Sequence, residues 1–234
     1  MLFVAEIGLN HDGNPNIAHE LIRSAKTSGA HIAKFQFGWR NKPDEMNYID
    51  AARAAQYRQW CDHWGIEMMA SIITEEALDL AKSVDLKRYK IASRTVVDNP
   101  KLCERVLGEG RETFVSLGMW QGEAFPFGPP SETLRYIFCR SKYPTYPEEL
   151  NLPASFGPDH YFGYSDHCSG IEACLLAIAR GAQFIEKHLT LNKTSQVIRD
   201  HILSATPAEL SLLTTTGDAM ARLVRVLSKP RGQS

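Results

Sequence analysis

The chain has 234 residues, 44% hydrophobic and 23% charged, and its formal net charge of −1 leaves no basic stripe of the kind nucleic acid requires. No apolar run reaches the length of a membrane span, and the N-terminus lacks a basic stretch followed by a long apolar one. No membrane association is therefore expected, and the expected location is the cytoplasm.

Short apolar runs alternate with helical patterns from the first residues onward. A strand over 2–7 is followed by a helix over 16–28, which Gly29 closes. Strands at 31–37, 67–71 and 88–92 then alternate with helices at 51–64, 75–83 and 100–107. A strand at 113–116 leads into WQGEAFPFGPPSE, whose prolines and glycines cannot hold a full helix. One outer helix, the one after strand five, is thus expected as a loop. Next come a strand at 136–139, a helix at 148–156, a strand at 161–164, and a helix at 171–180 closed by Gly181. The last strand, 183–187, precedes a helix at 207–227, with Thr206 as N-cap and Pro207 at its first position.

Strand followed by helix, repeated about eight times, implies a parallel sheet. At this length eight strands favour closure into a compact (β/α)8 TIM barrel, one domain over 1–234. No GxGxxG follows the first strand, which counts against a dinucleotide-binding sheet. The five cysteines form no CxxC pair and fit reduced thiols, with no structural zinc.

Residues alternating along a strand share a face. Read this way, the strand ends collect polar groups: Glu6 and Asn10 from AEIGLNHDG, Lys34 and Gln36 from KFQ, Lys90 and Ser93 from YKIAS, and Ser116 from SLGM. GYSDH aligns Ser165 with His167, and IEKH aligns Glu186 with His188. Polar side chains on core-facing positions are costly unless paired or functional, and six strands end this way. His167 and His188 suit a divalent metal with open positions. Two hydrogen-bonded core histidines are the blander alternative, against which Glu186 and Asp166 beside them weigh. Lys34 and Lys90, with Ser93, Ser116 and Ser165, could form a pocket for phosphate and carboxylate. Either lysine could instead be an ion-pair partner of Glu6 or Glu186, and Lys90 could be a Schiff-base nucleophile. His11 and Asp12 read as turn-shaping residues.

The ordered series AEIGLNHDG, AKFQ, YKIAS, SLGM, SKYPTYPEELNL, GYSDH, IEKHLTL and RDHILSATPAEL resembles the catalytic barrel of the sialic acid synthase family, from residue 3 to about residue 227. The resemblance implies a transferase that condenses phosphoenolpyruvate (PEP) with an aldose, an N-acylated hexosamine in the family, to give a nonulosonic acid and phosphate. It makes His167 and His188 ligands of a divalent metal, Mn²⁺ in most members, with Mg²⁺ or Co²⁺ as alternatives. Lys34, Lys90, Ser93, Ser116, Ser141 and Ser165 would hold PEP, with Ser71 where the family has threonine. Glu6, Gln36, Tyr143, Glu186 and Asp200 would face the sugar. Catalysis would fall to Glu186, Glu6, Lys34 and Lys90, with Glu186 handling a proton or placing water.

Several positions depart from that pattern. Arg94 and Leu117 replace glycine and threonine, and Phe138 replaces a histidine. The family's C-terminal antifreeze-like domain, which lends an arginine to the partner's sugar site in a dimer, has no counterpart in this sequence. A homodimer, or a separate chain supplying that domain, is the corresponding expectation. Three readings follow: a PEP-condensing synthase, a catalytically silent or partner-dependent sugar- or PEP-binding barrel, and a Lys90 Schiff-base aldolase.

Overall fold

Eight apolar runs become eight parallel strands in the computed structural model: β1 (Leu2–Glu6), β2 (Ile32–Phe37), β3 (Glu67–Ile72), β4 (Arg88–Ile91), β5 (Glu112–Ser116), β6 (Leu134–Cys139), β7 (Tyr161–Asp166) and β8 (Phe184–His188). They pair in chain order and β8 closes on β1, forming the expected barrel. The structure describes residues 1–227; residues 228–234, part of the expected domain, lie outside the described residues.

Among the described residues seven α-helices surround the strands: α1 (Pro15–Thr27), α2 (Ala51–Trp64), α3 (Glu75–Ser83), α4 (Ser93–Asp98), α5 (Pro100–Gly108), α6 (Glu172–Ala179) and α7 (Pro207–Leu227). Short polar side chains start several of them. Asp50 accepts from Arg53 N, Thr74 from Ala77 N and Asn99 from Leu102 N. At α7, Thr206 Oγ1 accepts from Glu209 N while Glu209 accepts from Thr206 N at 2.7 Å, a reciprocal cap. Gly29, at φ +86, turns the chain from α1 into β2 where an added Cβ would stand 2.8 Å from Thr214 Oγ1.

Two outer helices are absent rather than one. After β5 the expected loop lies against the barrel: Phe125 stacks on Tyr136 at 4.1 Å and 7°, and the Tyr136 hydroxyl donates to Gly128 O. The loop thus covers the outer face of β6 as a helix would. The helix expected over 148–156 does not form. Only one 3-10 turn, Pro147–Glu149, is present. Asn151 takes φ +44 and Pro153 has no N–H to donate, so the segment cannot propagate. Its carbonyls at Leu152 and Pro153 instead accept from the Arg180 guanidinium at 2.8 and 2.9 Å. In the other direction, α4 is a helix that the sequence pattern does not reveal.

The strand faces divide the core. Val4, Ile32, Met69, Phe114, Ile137 and Phe184 fill the lower interior. The outward faces of the strands pack against the helices in a larger apolar shell. At Gly163 an added Cβ would lie 2.1 Å from Phe184 O, so the close approach of β7 and β8 there admits no side chain. Among the described residues no helix is long and apolar enough to cross a membrane.

Candidate active site

Above the apolar plug, the inward positions turn polar. Register places Glu6 beside both Lys34 and His188, Ser71 beside Lys90, and Ser165 between Cys139 and Glu186. Together with the loops beyond the strands, they line a cavity of about 780 Å³ at the C-terminal end of the barrel, where the site of such barrels lies. Its lining includes Glu6, Lys34, Gln36, Ser71, Lys90 and Ser93, and also Ser116, Ser141, Tyr143, Ser165, His167, Glu186, His188 and Asp200. Every side chain that the family resemblance assigns to the metal, PEP, the sugar or catalysis therefore lines one cavity.

Two ammonium groups organise the floor. Lys34 Nζ lies 2.7 Å from Glu6 Oε2 and 3.5 Å from Glu186 Oε1, and donates to Ser71 Oγ at 3.1 Å. Gln36 Nε2 donates to Glu6 Oε1 at 2.7 Å, and Ser165 Oγ to Glu186 Oε1 at 2.9 Å. Lys34 is thus an ion-pair partner and a cavity residue at once. Lys90 has no carboxylate in contact among the described residues; its Nζ donates to Ser116 Oγ at 2.5 Å and, more loosely, to Ile91 O at 3.4 Å.

The electrostatics follow from these contacts. Burial alone would raise Glu186, but Lys34 and Lys90 outweigh it and hold the carboxyl at about 2. Glu6 goes the other way, raised by burial and by Glu186 against the pull of Lys34. Lys34 is raised because its two carboxylates overcome desolvation, whereas Lys90 is lowered by burial, with Lys34 adding to the effect.

His167 and His188 stand with ring centroids 5.6 Å apart. His167 Nδ1 lies 2.7 Å from Arg140 O, which can only accept, so Nδ1 carries the proton and Nε2 the lone pair. His188 Nδ1 is buried without a partner. Burial holds both rings at about 4, hence neutral at physiological pH. Two neutral imidazoles, one oriented through its second nitrogen and one with an orphaned nitrogen, fit a divalent ion that keeps open positions. Among the described residues no group of three His, Cys, Asp or Glu side chains is arranged to hold a metal. Tyr143 packs against His167 at 4.1 Å, and the Arg199 guanidinium lies 4.7 Å from the Tyr143 ring centroid. Asp200 Oδ1 is buried without a hydrogen bond near this group.

Some neighbours do not join. Asp166 points to the outer face of β7, where it accepts from Lys187 Nζ and Tyr164 Oη at 2.7 Å and from Cys168 N at 2.8 Å. It therefore offers the histidine pair no ligand atom, only the attraction of its charge for His167. Asn10 also lies outside the cavity lining, donating to Leu189 O and Ser204 Oγ. Asp12 faces His201 Nε2 at 3.0 Å. Conversely Cys139, Trp39, Arg40 and Arg199 line the cavity without having been picked out. Cys139 is an inward position two residues beyond Ile137, a signal the alternation carries; Trp39 and Arg40 lie on a loop and Arg199 opens a 3-10 turn, Arg199–Leu203, where it carries none.

The family model described as the NeuB family matches residues 44–225. The chain is 31% identical to the N-acetylneuraminate-9-phosphate synthase of Homo sapiens, over 98% of this chain and 72% of that protein. It is 30% identical to the N,N'-diacetyllegionaminic acid synthase of Legionella pneumophila, over 90% and 69% of the two. Among solved structures, the N-acetylneuraminic acid (sialic acid) synthetase of Leptospira borgpetersenii serovar Hardjo-bovis, in complex with citrate, superposes with a TM-score of 0.84 at 27% identity, covering all of this chain and 87% of that one.

Proposed function

Because this chain belongs to the NeuB family, we propose that it is a PEP-condensing transferase that joins PEP to an aldose and releases a nonulosonic acid and phosphate. The observation that carries the reading is the convergence of Lys34 and Lys90 on one buried floor, beside Glu186 and the His167–His188 pair. Two ammoniums and several hydroxyls form a polyanion subsite, and the adjoining Glu6, Gln36, Tyr143 and Asp200 form a polar wall suited to a sugar.

In this reading Lys90, Ser93, Ser116 and Ser141 hold one charged end of PEP. Lys34, with Ser71 and Ser165, holds the other against Glu186. Bringing C3 of PEP to the aldehyde carbon forms the new C–C bond; water then adds at C2, and phosphate leaves with cleavage of its C–O bond. A divalent ion at His167 and His188, Mn²⁺ by preference, would supply polarisation of the aldehyde. Glu186, anchored through Oε1 by Ser165, presents an unpartnered Oε2 that can orient the water and take its proton. Glu6, set apart from Glu186 by the opposite direction of its shift, is the complementary proton carrier beside the sugar. The five unpaired cysteines suit a reducing compartment, and we place the reaction in the cytoplasm.

Lys90 alone favours a second reading, since a lysine depressed by burial also suits Schiff-base chemistry. The deciding experiment is phosphate release from PEP with Mn²⁺ across a panel of aldoses, with a chelator control. Release confined to particular N-acylated aldoses supports the synthase. Silence across the panel, with PEP still bound, overturns it in favour of a binding barrel.

A further inference from the structure

Ser93 Oγ sits at the Lys90 side of the cavity with two neighbours. It accepts from Gly118 N at 2.9 Å and lies 3.1 Å from Cys139 Sγ. A hydroxyl has one proton and two lone pairs. Gly118 fills one lone pair, and the only open question is which of Ser93 and Cys139 donates to the other. If Ser93 gives its proton to sulfur, no donor is left for an anionic ligand. If the thiol gives its proton to Ser93, both lone pairs are filled and the O–H must point elsewhere. Ser93 lines the cavity along with Lys90 and Ser116, so that direction is open to an anion.

The thiol is held where it can do this. Cys139 is 4% exposed and inward-facing, in register with Ser165. An added Cβ on Gly118 would stand 2.6 Å from Cys139 Sγ and 2.6 Å from Ser141 Oγ, so the Gly118 backbone lies flat against both. Within the cavity the Cys139 thiol has the Ser93 hydroxyl as its hydrogen-bond partner.

We propose that Cys139 is a positioning residue: its thiol donates to Ser93 and thereby commits the Ser93 hydroxyl proton to the anionic substrate. The proposal rests on the reading of this cavity as a PEP site. It predicts a hydroxyl polarised by two donors, stronger toward an anion than an isolated serine.

The test is a double-mutant cycle of Cys139→Ala and Ser93→Ala, with Cys139→Ser as the conservative variant, read by calorimetric titration with PEP and, separately, inorganic phosphate. Cys139→Ala is expected to weaken PEP binding about fivefold, the weight of one hydrogen bond. Cys139→Ser should restore it to within about twofold, and Cys139→Ala should add nothing in the Ser93→Ala background. Cys139→Val serves as the donor-free variant if the alanine protein does not fold. Equal losses in both backgrounds, or no rescue by serine, would overturn the proposal. If the parent binds phosphate but not PEP, the PEP reading falls and the same cycle in phosphate decides the role of Cys139. If it binds neither, both fall together.

Discussion

The ammonium of Lys34 stands 2.7 Å from Glu6 Oε2, with neither side chain more than 3% exposed. Glu186 completes a buried triad at 3.5 Å. Removing Lys34 leaves the two carboxylates facing each other out of water, with the more distant Lys90 acting on Glu186. Lys34→Met is therefore expected to destabilise the fold by about 3–5 kcal/mol and to abolish PEP binding. Adding Glu6→Gln should recover part of the stability without recovering PEP binding. Denaturant unfolding and calorimetry check the two arms; a stable Lys34→Met protein that binds PEP would remove Lys34 from the site.

The histidine pair offers few protein ligands, since no third His, Cys, Asp or Glu is arranged with it among the described residues. Bound Mn²⁺ is expected to exchange readily and to be stripped by a chelator, and either His167→Ala or His188→Ala should weaken it at least tenfold. Electron paramagnetic resonance of free Mn²⁺ reads this directly, and unchanged affinity in both variants would place the ion elsewhere.

His11 is fully buried, neither ring nitrogen has a partner, and burial, aided by Arg53, holds it at about 4 against an ordinary 6.5. Between those values the unfolded chain takes up a proton that the folded chain refuses. Stability is thus intact above pH 6.5 and falls as the pH drops toward 4, by at most about 3 kcal/mol from this residue. His11→Phe should narrow the gap in melting temperature between pH 7.5 and pH 5. An unaltered gap would clear His11 of the effect.

Lys90 has Ser116 and a backbone carbonyl as its partners, and borohydride treatment with PEP and sugar tests it as a nucleophile. The synthase reading expects no covalent adduct by mass spectrometry and full sensitivity to chelators. A trapped adduct at Lys90 with chelator resistance would transfer the chemistry to the aldolase reading.

Most of this architecture can be read from period-two alternation. The eight strands and the inward set from Glu6 to His188 follow from it, because a strand offers only two faces. The sequence misleads where a helix-like run contains its own breakers: EELNLPASF begins like a helix, but Asn151 and Pro153 end it within a turn. The short α4 escapes notice because Thr95, Val96 and Val97 are β-branched and the element lasts only from Ser93 to Asp98. Asp166 shows the cost of counting charge without counting faces, since it lies between Ser165 and His167 and so points the other way. Trp39 reaches the cavity from a loop and Arg199 from a 3-10 turn, and the course of both depends on the finished barrel.

The opposed directions of Asp166 and Glu186 have a consequence for how the chain finds its own alignment. On β7 and β8 the inner face carries Ser165 and Glu186 and the outer face carries Asp166 and Lys187, and both sets are buried. A shift of one residue between these strands would turn Lys187 into the cavity, carry His188 out of it, and leave Asp166 without its cation in the apolar shell. Neither misalignment has a cheap resting place, so the same charges that equip the interior also make this seam intolerant of slippage. The barrel is thereby closed next to the histidines by a seam that admits a single alignment.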